Sequence, residues 1–88
     1  MIYGNNLFRY GTKDIAYWKD KGTEKIRLRI SELINAITES PFTGIGKPEP
    51  LKYDLSGKWS RRIDRENRIV YSIDAGKIKI HSLRGHYK

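Results

Sequence analysis

WSRRIDRENRIVYSIDAGKIKIH, residues 59–81, is the stretch that decides the fold. Trp59 and Ile63 alternate with Ser60 and Arg62, and Ile69, Tyr71 and Ile73 alternate with Arg68, Val70 and Ser72. A period of two marks strands with one buried face. For both apolar sets to share that face, Trp59 and Ile63 must lie across from Ile69 and Tyr71. Both sets are odd-numbered, so the loop between them, near residues 64–67, needs an odd length. This register puts Arg62 and Arg68 together on the opposite face. Ala75-Gly76 is then a two-residue hairpin turn. It returns Ile78 and Ile80 to the core face and leaves Lys77, Lys79 and His81 with the arginines.

On the N-terminal side of this stretch, residues 51–55 (Leu-Lys-Tyr-Asp-Leu) read as a further strand, closed by Ser56-Gly57. Before it, Gly44, Gly46, Pro48 and Pro50 make residues 44–50 a loop. Upstream, Ile26, Ile30, Leu33, Ile34 and Ile37 recur at spacings of three and four, giving a helix with one apolar stripe. Thr23 caps its start and Ser40-Pro41 ends it. A shorter helix starts at Thr12, carries Asp14 in its first turn, where the helix dipole favours an acid, and stops near Gly22. Leu7-Phe8-Arg9-Tyr10 reads as a first strand. The expected order is β-α-α-β-β-β-β, an α+β fold. Two N-terminal helices pack on one face of a small, mostly antiparallel sheet, and the other face is basic and largely uncovered.

The chain has 88 residues, so a single domain over residues 1–88 is expected, with a small core that favours pairing with another chain. It has no cysteine, which excludes disulfides and zinc–thiolate sites. No apolar run approaches the roughly 20 residues of a membrane span. Residues 1–10 lack the basic start and apolar middle of a secretory signal. A soluble, cytoplasmic protein is expected. The net charge is +8 and uneven: residues 41–88 carry eleven basic and five acidic side chains, against seven and five in residues 1–40. Such an excess draws polyanions, nucleic acid above all.

The residues able to carry chemistry are Glu49, Lys52, Arg62, Arg68 and the closing Arg84-Gly85-His86-Tyr87. RNA can be cut without a metal when its own 2′-OH attacks the adjacent phosphate. A base takes the 2′ proton, an acid protonates the 5′ oxygen, and cations steady the phosphorane. One carboxylate, one histidine and a few arginines or lysines suffice, and the planar arginine fork suits phosphate. Each residue also has an ordinary alternative: a solvated loop carboxylate for Glu49, exposed strand charges for Arg61 and Arg62, pairing of Arg68 with Glu66 or Asp64, a frayed tail for His86 and packing for Tyr87.

The run Pro41-Phe42-Thr43-Gly44-Ile45-Gly46-Lys47-Pro48-Glu49-Pro50-Leu51-Lys52, followed by Leu55-Ser56-Gly57, Trp59-Ser60-Arg61-Arg62-Ile63, Arg68-Ile69-Val70-Tyr71 and His86-Tyr87, resembles the YoeB family of the RelE superfamily of toxin–antitoxin ribonucleases. The likeness spans roughly residues 7–87 and is most specific in the second half. It implies a RelE-like fold and a metal-free mRNA interferase with no cofactor. It implies Glu49 as general base, His86 as general acid and Arg68 at the scissile phosphate. Lys52 and Arg62 would support the phosphate backbone, and Tyr87 would orient the substrate; Arg61, beside Arg62, is also expected to bind substrate. The partners it implies are mRNA in the A site of the 70S ribosome, a second copy of the chain, and a YefM-like antitoxin with a disordered C-terminal segment. Residues 1–6 have no counterpart and read as a native extension or an alternative start. Lys88 extends one residue beyond the usual terminal tyrosine.

There are two rival classes: a non-catalytic antiparallel-sheet module that binds RNA or ribosomes through its basic face, and a relative of the same fold that inhibits a protein target, as ParE-type toxins do. Neither needs an acid–base pair. The choice of acid also divides the two lines of reasoning. Strand alternation sets His81 beside Arg62 and Arg68 and turns His86 to the core, unless Arg84-Gly85 bends the chain. The resemblance names His86.

Overall fold

The computed structural model describes residues 12–85, and for residues 12–16 the backbone alone. The strand expected at residues 7–10, and His86, Tyr87 and Lys88, lie outside the described residues. Helix α1 (Thr12–Lys21) and helix α2 (Glu24–Glu39) precede a four-stranded antiparallel sheet in the order β1 (Glu49–Pro50), β2 (Trp59–Arg62), β3 (Arg68–Asp74) and β4 (Lys77–Ser82). Among the described residues no helix is long and apolar enough to cross a membrane.

The helix boundaries follow their local chemistry. Gly22 N–H donates to Trp18 O at 2.9 Å and closes α1, while Thr23 Oγ1 accepts from Ile26 N–H at 3.2 Å and opens α2. The stripe of α2 faces the sheet as expected. Ile30, Leu33 and Ile37 are buried against Ile63, Ile69, Tyr71, Ile78, Ile80 and Leu83, with Ile26 and Ile34 half-buried beside them. Each fully buried aliphatic side chain contributes about 1.5–3 kcal/mol. Trp18 Nε1 donates to Leu83 O at 2.9 Å and ties α1 to the chain just past β4.

The meander has the expected register. Trp59 pairs with Tyr71, Arg61 with Ile69 and Arg62 with Arg68, so five residues separate β2 from β3, an odd number. Asp64 Oδ1 accepts from the N–H groups of Glu66 and Asn67 and shapes that turn. Ala75 and Gly76 both have positive φ, at 54° and 76°, and join β3 to β4 as a two-residue loop with Asp74 opposite Lys77.

Three expectations are corrected. Residues 51–55 do not form a strand: β1 is only Glu49–Pro50, and Tyr53–Leu55 is a 3₁₀ turn. The spacing of Leu51, Tyr53 and Leu55 imitates strand alternation, but Tyr53 takes φ 59° and is 90% exposed, so the chain reverses there. The sheet face away from the helices is less open than expected, because Ser60 and Val70 at its middle are buried. The Arg68 side chain lies across Ser60 there. Finally, alternation in β4 breaks at a bulge. Ile80 pairs with Tyr71 and Ser82 with Val70, so His81 is an extra residue. The core position therefore passes from the even-numbered Ile78 and Ile80 to the odd-numbered Leu83.

Candidate active site

The loop between α2 and β1 is held from within by Arg61. Its side chain is fully buried on the helix side of the sheet. Nη2 donates to Ser40 O (2.6 Å) and Thr43 O (2.8 Å), Nη1 to Ile45 O (3.1 Å), and Nε to the Tyr71 hydroxyl (3.1 Å). The Tyr71 hydroxyl in turn donates to Pro41 O. Burial raises the Tyr71 phenol above its ordinary value, against the opposing hydrogen bond and charge of Arg61. Gly46, at φ 84°, lets the loop press onto Leu33, since a Cβ there would lie 2.7 Å from Leu33 Cδ2. Its carbonyl accepts from Arg62 N–H at 2.7 Å. The loop is thus laid along β2 and enters β1 with Glu49 opposite Ser60.

On the outer face this register brings a carboxylate and a guanidinium together. Arg68 Nη1 stands 3.4 Å from Glu49 Oε1 and 3.3 Å from Ser60 Oγ. The Arg68 side chain is 20% exposed and that of Glu49 61%, so the acid faces solvent while the arginine is largely enclosed. Among the described residues, Nε and Nη2 of Arg68 make no hydrogen bond, which leaves that side of the fork for an anion. The contact is a weak ion pair at this distance and exposure. Its value is chemical: a proton acceptor beside a planar set of phosphate donors.

The last described residue, Gly85, is hydrogen-bonded to the same segment. Arg68 N–H donates to Gly85 O at 2.8 Å, and Gly85 N–H to Asn67 Oδ1 at 2.8 Å. Gly85 has φ 74°, a left-handed conformation that turns the chain as the Arg84-Gly85 bend requires. The described chain therefore ends hydrogen-bonded to the segment that carries Arg68.

Arg62 is exposed and sits opposite Arg68 in the ladder. Lys52 is exposed and immediately precedes the 3₁₀ turn. Among the described residues neither side chain forms a hydrogen bond or ion pair with Glu49 or Arg68. Arg61, expected on the RNA, is instead turned inward, because it shares the face of Trp59 and Ile63. His86 and Tyr87 lie outside the described residues. Ser60 was missed as a site member, although its alternation with Trp59 already placed it on the arginine face.

His81 does reach the outer face. Its Nε2 lies 2.8 Å from Ser72 Oγ, in a hydrogen bond whose direction depends on the tautomer. Burial pushes its pKa below the ordinary value of 6.5, and the charges of Lys58 and Lys79 push it the same way. The folded protein thus resists protonating His81, whereas the unfolded chain does not. Its stabilising contribution is complete above pH 6.5 and is lost as the pH falls through the lowered value. We expect the melting temperature to drop as the pH falls from about 6.5 toward 5, and His81→Gln to flatten part of that slope. Identical slopes in the two proteins would contradict the assignment. The neighbouring Asp74, held below its ordinary value by the hydrogen bond and charge of Lys79 at 2.8 Å, titrates in a more acid window and does not confuse the reading.

The chain matches, over residues 8–87, the family model for the YoeB-like toxin of bacterial type II toxin–antitoxin systems. It is 52% identical to Toxin YoeB of Synechocystis sp. over 71 residues, covering 81% of this chain and 83% of that one. A solved structure titled YoeB/ParE toxin from Agrobacterium tumefaciens superposes with a TM-score of 0.85 at 35% identity, covering 92% and 95% of the two chains. The Staphylococcus aureus YoeB, 38% identical, is solved both in complex with YefM and as a dimer, with TM-scores of 0.81 and 0.80 and coverage of 93% and 94% in each case.

Proposed function

The chain belongs to the YoeB-like toxins of bacterial type II toxin–antitoxin systems, and we propose that it is a ribosome-dependent endoribonuclease that cuts mRNA by attack of the RNA's own 2′-OH. The observation that carries this reading is the meeting of Glu49 and Arg68, from two different strands, on one solvent-facing site at 3.4 Å. Glu49 takes the 2′ proton, and the 2′ oxygen attacks the adjacent phosphorus. Arg68, with Arg62 and Lys52 on the flanking backbone, stabilises the charged phosphorane. His86 gives its proton to the departing 5′ oxygen, and Tyr87 orients the substrate. No metal or other cofactor takes part in this scheme. The partners are mRNA in the A site of the 70S ribosome, a second copy of the chain, and a YefM-like antitoxin, in keeping with the dimer and the YefM complex of the S. aureus protein. A cytoplasmic site of action follows from that target.

Primer extension on mRNA from translating extracts, with and without the protein, tests the reading. Cuts are expected only in translated message, because so small a set of groups depends on the ribosome to align the RNA for in-line attack. The upstream fragment should end in a 2′,3′-cyclic phosphate and the downstream one in a 5′-OH. A 2′-deoxy nucleotide at the cut site should block cleavage. Equal cutting of naked RNA, or a 5′-phosphate product, would refute it.

A further inference from the structure

Among the described residues two polar or charged side chains are closed off from solvent, Arg61 and Ser60. Arg61 is accounted for by the loop it holds. Ser60 lies in the ladder between Glu49 on β1 and Val70 on β3. Its Oγ is 3.3 Å from the same Nη1 of Arg68 that faces Glu49 Oε1 at 3.4 Å. Arg68 itself starts two ladder positions away on the same face, opposite Arg62, so its guanidinium reaches diagonally across Ser60 toward the carboxylate.

A guanidinium and a carboxylate this near ordinarily close into a two-pronged pair with N···O distances of about 2.8 Å. Here the contact is single and long. Nη1 carries two hydrogens. Ser60 Oγ accepts one of them, which leaves one for Glu49 and keeps the rest of the fork turned away from the acid. A closed pair would occupy the lone pairs that must receive a proton and the donors that must meet phosphate. We infer that Ser60 is a positioning residue that holds the Arg68 guanidinium off Glu49, so that base and phosphate clamp stay separately usable. This rests on the ribonuclease reading above, in which both groups touch the RNA.

The test is single-turnover cleavage on programmed ribosomes, measured from about pH 5 to 9, for the wild type, Ser60→Ala and Ser60→Thr. In Ser60→Ala the guanidinium is expected to close on Glu49. The plateau rate should fall about ten- to a hundred-fold, the scale of a small misplacement of reacting groups. The acid limb should move to lower pH, because a carboxylate gripped by a guanidinium keeps its charge in more acid solution. The toxin concentration giving half-maximal rate should stay the same. Ser60→Thr keeps the oxygen and should keep both plateau and acid limb. Where the alanine protein is unstable, Ser60→Cys gives the same readings with nearly the same shape and a weak acceptor. A lower plateau with an unmoved acid limb would mean a merely structural role and overturn the inference, as would an unchanged Ser60→Ala protein. A wild type that fails to cut on the ribosome would overturn the ribonuclease reading itself, and this inference with it.

Discussion

Arg61→Met is expected to bring the chain to the edge of unfolding, with a loss of about 3 kcal/mol or more. The guanidinium is fully buried, and its partners are three loop carbonyls and the Tyr71 hydroxyl, with no carboxylate among them. Methionine fills much of the same space but donates nothing. Each partly buried acceptor then loses its donor at a cost of about 1–3 kcal/mol, less where water can enter. A domain of this size has only about 5–15 kcal/mol in total. Arg61→Lys keeps the charge, yet it cannot span acceptors from Ser40 to Tyr71 with a single ammonium, so an intermediate loss is expected. Gly46→Ala should weaken the same loop from the other side, through its φ of 84° and the close approach of Leu33. Urea unfolding followed by the fluorescence of Trp18 and Trp59 measures all three. An Arg61→Met midpoint equal to that of the wild type would show that the loop stands without its anchor.

The dual nature of the arginine pair explains what the sequence could and could not convey. Alternation alone sets Arg62 beside Arg68, and the same rule, followed one residue back, turns Arg61 inward with Trp59 and Ile63. Charge pulled the reading the other way, since a buried arginine needs a set of carbonyls that only the folded loop supplies. The caps at Thr23 and Gly22, the apolar stripe of α2 and the Ala75-Gly76 turn were legible because each rests on local geometry. Residues 51–55 were not: period two in Leu51, Tyr53 and Leu55 cannot be told from a strand when the deciding fact is a positive φ at a tyrosine. Nor was the bulge at His81 legible, for it is set by how β4 lies on β3 and leaves no mark in residue type. The meeting of Glu49 with Arg68 depends on the β1–β2 register, which spacing could not give.

Loss of either member of the acid–base pair is expected to cost about 10²–10⁴ in single-turnover rate, with little change in ribosome binding. Glu49→Gln keeps the shape and the Arg68 contact but cannot take a proton. His86→Gln removes the proposed acid, and here the two histidines part. Unbroken alternation favoured His81 for this role. His81 keeps its place on the outer face, but the bulge removes the argument against His86, because Leu83, not an even-numbered residue, returns to the core past it. His81 is also a poor proton donor, since burial and the charges of Lys58 and Lys79 hold it neutral. Meanwhile Gly85, the residue before His86, is hydrogen-bonded to Arg68 through its carbonyl and turns the chain with its positive φ. In the proposed scheme, a scissile phosphate held by Arg68 would favour the charged form of the imidazole that serves it as acid. His81→Gln should therefore change the rate by less than about threefold, well below the acid–base scale. Slow cleavage by His81→Gln together with near-normal cleavage by His86→Gln would assign the acid to the bulge, and the Arg68–Gly85 contact would then serve only to close the sheet.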